Sequence, residues 1–176
     1  IYQCDWSSDV CSSDRGVTRF ADELSAAGGH GVITPDLTRE EAADWIAATD
    51  ARGLDRIFLV APSSTDARIA AVADTTSGWL YAASVMGVTG ARASVNSAAP
   101  ALVERARALT DLPISVGLGV STGDQAAEIA QYADGVIVGS AFVRRILQAP
   151  DQAAAVASVA ELARELAAGV RNHATT

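Results

Sequence analysis

The residues whose type and spacing suit chemistry are few: the turn Gly87–Gly90 (GVTG), the turn Gly117–Ser121 (GLGVS), the pair Gly139 and Ser140, and Tyr81 beside the small Ala82 and Ala83. Glycine lets backbone N–H groups approach a ligand closely, and Ser140 adds a hydroxyl donor where the helical stretch Ala141–Leu147 begins. Together they suit a phosphate. All 13 basic residues are Arg, so an acidic, lysine-free chain has to grip a dianion mainly through amides and helix dipoles. Each piece also has an ordinary reading: glycines after strands form turns, and Tyr81 is equally suited to a packed core.

The same inventory removes other chemistries. Without Lys there is no Schiff base, no lysine-dependent aldolase, no pyridoxal phosphate enzyme acting alone and no Walker-type nucleotide site. His30 and His173 are far apart in sequence and read as surface or loop residues, so no metal site is expected. Cys4 and Cys11 both precede residue 15; their spacing matches no common zinc pattern, and the remainder has no disulfide framework.

Positioning such turns takes a rigid scaffold, and the composition allows one. The chain has 176 residues, 49% apolar and 19% charged, with a net charge of −8. That suits one soluble domain with a packed core rather than a disordered chain. No apolar run approaches the roughly 18 residues of a membrane span. Scattered arginines on an acidic chain make neither nucleic acid nor a membrane an expected partner.

Short apolar runs alternate with Ala-rich amphipathic segments from Arg15 onward, which reads as repeated β then α. Five strands are predicted: Gly31–Asp36, Arg56–Pro62, Gly78–Val85, Pro113–Gly119 and Gly135–Phe142. Their apolar character on both faces predicts a parallel sheet buried on both sides, with one helical crossover in each interval. Thr38 with Glu41 and Thr122 with Gln125 have capping-box spacing, and Ser97 is placed to cap a helix whose first turn holds Pro100. Val17, Phe20, Ala21 and Leu24 form one apolar stripe, ending at Gly28 and Gly29; Leu102, Val103, Ala106 and Leu109 form another. Met86–Ala99 reads as a long mobile loop of the kind that closes over sites. In parallel α/β folds ligands sit at the carboxyl ends of strands, and in (β/α)8 barrels phosphate often binds after the last two, where GLGVS and Gly139–Ser140 fall.

Residues 1–14, IYQCDWSSDVCSSD, have no periodicity and no signal-peptide pattern, and resemble translated read-through of a sequencing adaptor. They are expected to be a non-native or disordered leader ahead of the domain at 15–176. Sequencing the 5′ end of the gene tests that.

The strings GVITPDLTREEA, YAASVMGVTGAR and VGLGVSTGDQAAEIAQYADGVIVGSAFVRR, in this order, resemble the later part of the tryptophan synthase alpha subunit family. The resemblance implies an α/β fold, a partial (β/α)8 TIM barrel with about five of eight β/α units, in a cytoplasmic lyase of tryptophan biosynthesis. That enzyme performs retro-aldol cleavage of indole-3-glycerol phosphate to indole and glyceraldehyde 3-phosphate. It implies no cofactor in this chain, pyridoxal phosphate only in a beta subunit, and an alpha2beta2 tetramer as the assembly of the full-length protein. Carried over by position, Tyr81 lines the substrate pocket, Thr89 and Gly90 belong to a lid loop, Leu118 stands where Phe is frequent against the indole, and Gly119, Gly139 and Ser140 hold the phosphate. The family's catalytic Glu and Asp lie on early strands that find no counterpart here, so no catalytic residue is assigned and this chain alone is expected to be inactive. Asp36 reads better as a loop or interface aspartate than as a substitute acid; Glu40, Glu41 and Asp44 are expected on a solvent-facing helix.

A non-catalytic half-barrel that binds phosphate or a beta subunit is the alternative. An isomerase barrel of histidine or tryptophan biosynthesis is disfavoured by GVTGAR. Unpaired edges at the first and last strands predict that the isolated chain is unstable or aggregates.

Overall fold

A computed structural model describes residues 16–35, 37, 41–83, 92–117 and 119–172. The elements run α1 (Val17–Ala26), β1 (Gly31–Ile33), α2 (Ala43–Asp50), β2 (Asp55–Ile57), β3 (Leu59–Val60), α3 (Asp66–Ala73), β4 (Leu80–Ala83), α4 (Arg92–Arg107), β5 (Ile114–Gly117), α5 (Gly123–Ala130), β6 (Gly135–Ile137), α6 (Ser140–Gln148) and α7 (Gln152–Asn172). All five predicted strands are present, the second divided at Phe58 into β2, which pairs with β1, and β3, which pairs with β4. Hydrogen bonds carry the pairing across the break: Thr34 N donates to Ile57 O (2.9 Å) and Tyr81 N to Phe58 O (3.1 Å). Every pairing is parallel and follows chain order without reversal. Since such crossovers are almost always right-handed, an order that never reverses puts all the helices on one face, as in one arc of a (β/α)8 barrel.

Burial on both faces is corrected by the pleat. On β4 and β5, Leu80, Ala82, Ile114 and Val116 are fully buried, while Tyr81, Ala83, Ser115 and Gly117 between them are half-buried. The first set packs with Ile69, Val72, Leu102, Val103, Ala126 and Ile129 from the helices. The second set faces the inside of the arc, away from the described helices. Apolar residues on both faces therefore reflect one helix-covered face and one inner face.

Several helix starts also differ from expectation. Thr122 does cap α5, its Oγ1 accepting from Gln125 N (3.3 Å). Thr38 and Glu40 lie outside the described residues, and α2 begins at Ala43 behind Ala42, which gives no side-chain cap. Glu41 precedes α2; like Asp44 in its first turn, it is exposed. α4 starts at Arg92, ahead of Ser97, and Pro100 lies inside it, so residues 92–99 of the expected loop are helical. Leu109 falls beyond the end of α4 and is exposed, leaving Leu102, Val103 and Ala106 as the buried stripe.

Side chains tie the units together. Arg56, pointing from β2 into the helical layer, ion-pairs with Asp50 and donates to Thr49 Oγ1 (3.0 Å) and Thr75 O (3.1 Å). Phe20 of α1 meets Trp45 of α2 with ring centroids 5.8 Å apart. α5 and α7 cross so closely at Gly123 and Gly169 that a Cβ at Gly169 would collide with the Gly123 carbonyl.

Candidate functional site

The inner face is fitted from large and small residues in alternate places. Tyr81 lies opposite Ser115, and Ser115 opposite Gly135. A Cβ at Gly117 would strike the Tyr81 hydroxyl, and one at Gly135 would strike Ser115 Oγ. The Tyr81 ring therefore leans towards the carboxyl end of β5, using space that only glycine leaves. Trp79 stands two residues earlier, its ring centroid 6.0 Å from that of Tyr81. Burial pushes the Tyr81 phenol above its ordinary pKa, so it remains a protonated donor at neutral pH.

Two glycine turns follow β5 and β6. Gly117 pairs with Ile137, so Gly119 and Gly139 each stand two residues beyond paired neighbours on adjacent strands. Gly119 has φ +66, a left-handed conformation that side chains resist. Val120 is buried and anchors that turn, and Ser121 N donates to Gln125 Oε1 (2.8 Å). Across from it, Gly139 is the N-cap of α6, and Phe142 N and Val143 N both return to its carbonyl (3.0 and 3.3 Å). The N–H groups of Ser140 and Ala141 belong to the first turn, where an α-helix has no preceding carbonyl to offer them. Gly139 and Ser140 are exposed.

Partners remote in sequence hold these turns. Glu165 of α7 accepts a hydrogen bond from Gly123 N (2.8 Å), placing a carboxylate at the N-terminus of α5 directly behind the GLGVS turn. Arg105 of α4 pairs with Asp66 (2.7 Å) and donates to Ser64 O (2.5 Å), fixing the loop after β3. At the opposite ends of the strands, Asp134 receives Ile114 N (2.8 Å) and pairs with Arg107 (3.0 Å).

Of the residues singled out in the sequence, Tyr81, Gly119, Gly139 and Ser140 come to the carboxyl ends of neighbouring strands. Thr89, Gly90 and Leu118 lie outside the described residues, as do Asp36, His173, Cys4, Cys11 and residues 1–14; His30 is exposed. Sequence reasoning missed Trp79, Ser115, Gly117 as the seat of the Tyr81 hydroxyl, and Glu165. Trp79 and Tyr81 carried a readable signal in their two-residue spacing. Glu165, 42 residues from its partner, carried none. Among the described residues no group of three or more His, Cys, Asp or Glu is placed to hold a metal ion, and no helix is long and apolar enough to cross a membrane.

A family profile described as tryptophan synthase alpha chain matches residues 12–171. The tryptophan synthase alpha chain of Thermobifida fusca is 60% identical over 159 residues, 89% of this chain and 59% of that protein. That of Acidothermus cellulolyticus is 60% identical over 161 residues, 92% of this chain and 60% of that protein. A solved structure of Mycobacterium tuberculosis tryptophan synthase superposes with a TM-score of 0.81 at 54% identity, over 91% of this chain and 59% of that one. The chain thus spans about 60% of the length of the relatives it matches.

Proposed function

Because the chain belongs to the tryptophan synthase alpha chain family, we propose that its two glycine turns hold the phosphate of indole-3-glycerol phosphate and that the whole protein cleaves this ester to indole and glyceraldehyde 3-phosphate. The observation that carries the reading is the Gly117–Ile137 register, which sets Gly119 beside Gly139 and the N-terminus of α6. Main-chain amides and a helix dipole suit a dianion in a chain without Lys. Tyr81 and its neighbours wall the pocket on the inner side, with Leu118 against the indole and Thr89 and Gly90 in a lid.

Retro-aldol cleavage also needs protons moved onto carbon and off oxygen, and positioned acid–base groups contribute about 10²- to 10⁴-fold each. Among the described strand residues Asp55 is the one carboxylate, and it stands at the amino end of β2, away from the turns. The described strands thus bring no carboxylate to the turns, and the reading for this chain is binding of the ester, with turnover belonging to the whole protein. No cofactor enters this step; pyridoxal phosphate belongs to the beta subunit, which takes up the indole within an alpha2beta2 tetramer in the cytoplasm.

Isothermal titration with glycerol phosphate, run beside an indole-release assay, tests the reading. Binding without indole release is expected, with Ser140→Ala weakening it about tenfold or more, as for one hydrogen bond to a charged group worth about 1.5–3 kcal/mol. Absence of binding, or binding indifferent to Ser140→Ala, overturns the phosphate assignment; indole release overturns the assignment of binding alone.

A further inference from the structure

Two kinds of hydrogen bond hold the turn after β5. The first is local: Thr122 Oγ1 accepts from Gln125 N (3.3 Å) and Gln125 Oε1 from Ser121 N (2.8 Å), a reciprocal cap that sets the shape of the turn and travels with α5. The second comes from another element. Gly123 N, the first amide of α5, donates to Glu165 Oε1 of α7 (2.8 Å), so that carboxylate also meets the positive end of the α5 dipole. The two backbones touch at this point: a Cβ at Gly123 would lie 2.8 Å from Glu165 O, and one at Gly169, a turn further along α7, would collide with Gly123 O. Glycine inside a helix is otherwise unfavourable, so Gly169 marks where α7 comes down on the start of α5.

The first half of the same helix holds the second turn. Arg145 of α6, the helix that opens at Gly139 and Ser140, donates to Ser158 Oγ (3.3 Å) and pairs with Glu161 (3.5 Å), both on α7. Ser158, Glu161, Glu165 and Gly169 follow at three- and four-residue steps and lie along one face, while Leu162 and Leu166 are buried. α7 therefore spans the back of both glycine turns.

We propose that α7 is the strut that sets the spacing between Gly119 and Gly139–Ser140, and that Glu165 is a positioning residue for the phosphate: it touches no ligand, but holds the turn after β5 at the distance from α6 that one phosphate bridges. This role rests on the phosphate reading of the two turns. The local cap cannot supply it, because hydrogen bonds within residues 121–125 leave α5 free to shift as a body relative to α6. An acceptor at the right reach is what the turn needs. The charge on Glu165 is of the same sign as the ligand and gives it no attraction.

Glycerol phosphate titrated calorimetrically into the 176-residue chain and its variants, with a urea midpoint for each, tests the role. Glu165→Ala removes the acceptor and should weaken binding about fivefold, as for the loss of one hydrogen bond. Glu165→Asp keeps the charge but is one methylene too short, and should also weaken binding. Glu165→Gln keeps both reach and acceptor and should bind at least as tightly as the unaltered chain. Arg164→Ala, at the exposed neighbouring position, should change nothing. A contact that served stability alone would lower the urea midpoint of Glu165→Ala without altering the affinity of the folded chain, and a role played by charge would make Asp the good substitute and Gln the poor one. Binding by Glu165→Ala as tight as that of the unaltered chain, or Asp ranking above Gln, overturns the positioning role and leaves the phosphate reading standing. No binding by the unaltered chain overturns the phosphate reading and this role with it. Should Glu165→Ala fail to fold, the order of Gln and Asp decides.

Discussion

The middle of the sheet and its β6 margin are built from similar residues to different ends. At β4 and β5 burial alternates with the pleat, every outward residue meets a helix, and the inner face pairs Tyr81 with Ser115 and Gly117. At β6, Val136 and Val138 are just as apolar but floor an open groove, and Val143, Ile146 and Leu147 on α6 are exposed. Apolar sequence thus marks where a contact is designed to form, and whether this chain makes that contact itself depends on the neighbours present. The two turns of the candidate site straddle this boundary, Gly119 on the finished side and Gly139 on the margin.

The largest effect that can break the contrast is in the core. Leu102 is 1% exposed and Leu147 79%. Leu102→Ala should cost about 2–5 kcal/mol through lost burial and a residual cavity, whereas Leu147→Ala in the isolated chain should stay within about 0.5 kcal/mol. Urea midpoints measure both. Equal losses would mean that Leu147 already has a covering neighbour in this chain.

How much of this was legible follows the same division. The strand positions and their parallel order could be read from short apolar runs spaced for crossovers, and Thr122 announced the start of α5. Face assignment could not be read: Leu80 and Tyr81 are both compatible with a core, and only the helices, all on one side, separate them. Helix starts failed where tertiary packing outweighs local signals, as at Pro100, which looks like a first-turn residue yet sits within α4. At the candidate site, glycines at strand ends were visible, but the reason Gly117 is a glycine is the hydroxyl of Tyr81, a residue of another strand. Glu165 on Gly123 is a contact across 42 residues that no local pattern encodes.

A smaller effect sharpens the finished side. Gly119 has φ +66, and among the described residues other than its chain neighbours no atom lies within 4 Å of where a Cβ would stand, so the penalty expected there is conformational rather than steric. Gly119→Ala should cost about 1 kcal/mol and Gly119→Asn less, because Asn tolerates the left-handed region better. The order Gly, Asn, Ala in urea stability, repeated in glycerol phosphate affinity, is the expected result. Equal affinities for all three would show that this turn does not set the geometry of the ligand site.

The smallest effect concerns the amino ends of β5 and β6, which Asp134 ties together. Burial alone would raise the pKa of this carboxyl, but the hydrogen bond from Ile114 N–H, followed by the Arg107 guanidinium, outweighs it and holds the group below its ordinary value of 3.8. A carboxyl whose pKa is depressed on folding contributes stability above its unfolded value and loses that contribution as pH falls through the folded one. The tie should therefore be intact at neutral pH and weaken progressively below pH 3.8. Because the pair is largely solvent-exposed, its share is small and screened by salt. Asp134→Asn keeps an acceptor for Ile114 N–H but removes the charge, so it should lower stability slightly at pH 7 and flatten the acid limb of a stability–pH curve. An acid limb unchanged by Asp134→Asn would assign the loss to other carboxylates, and would leave the joint between β5 and the marginal strand resting on backbone pairing alone.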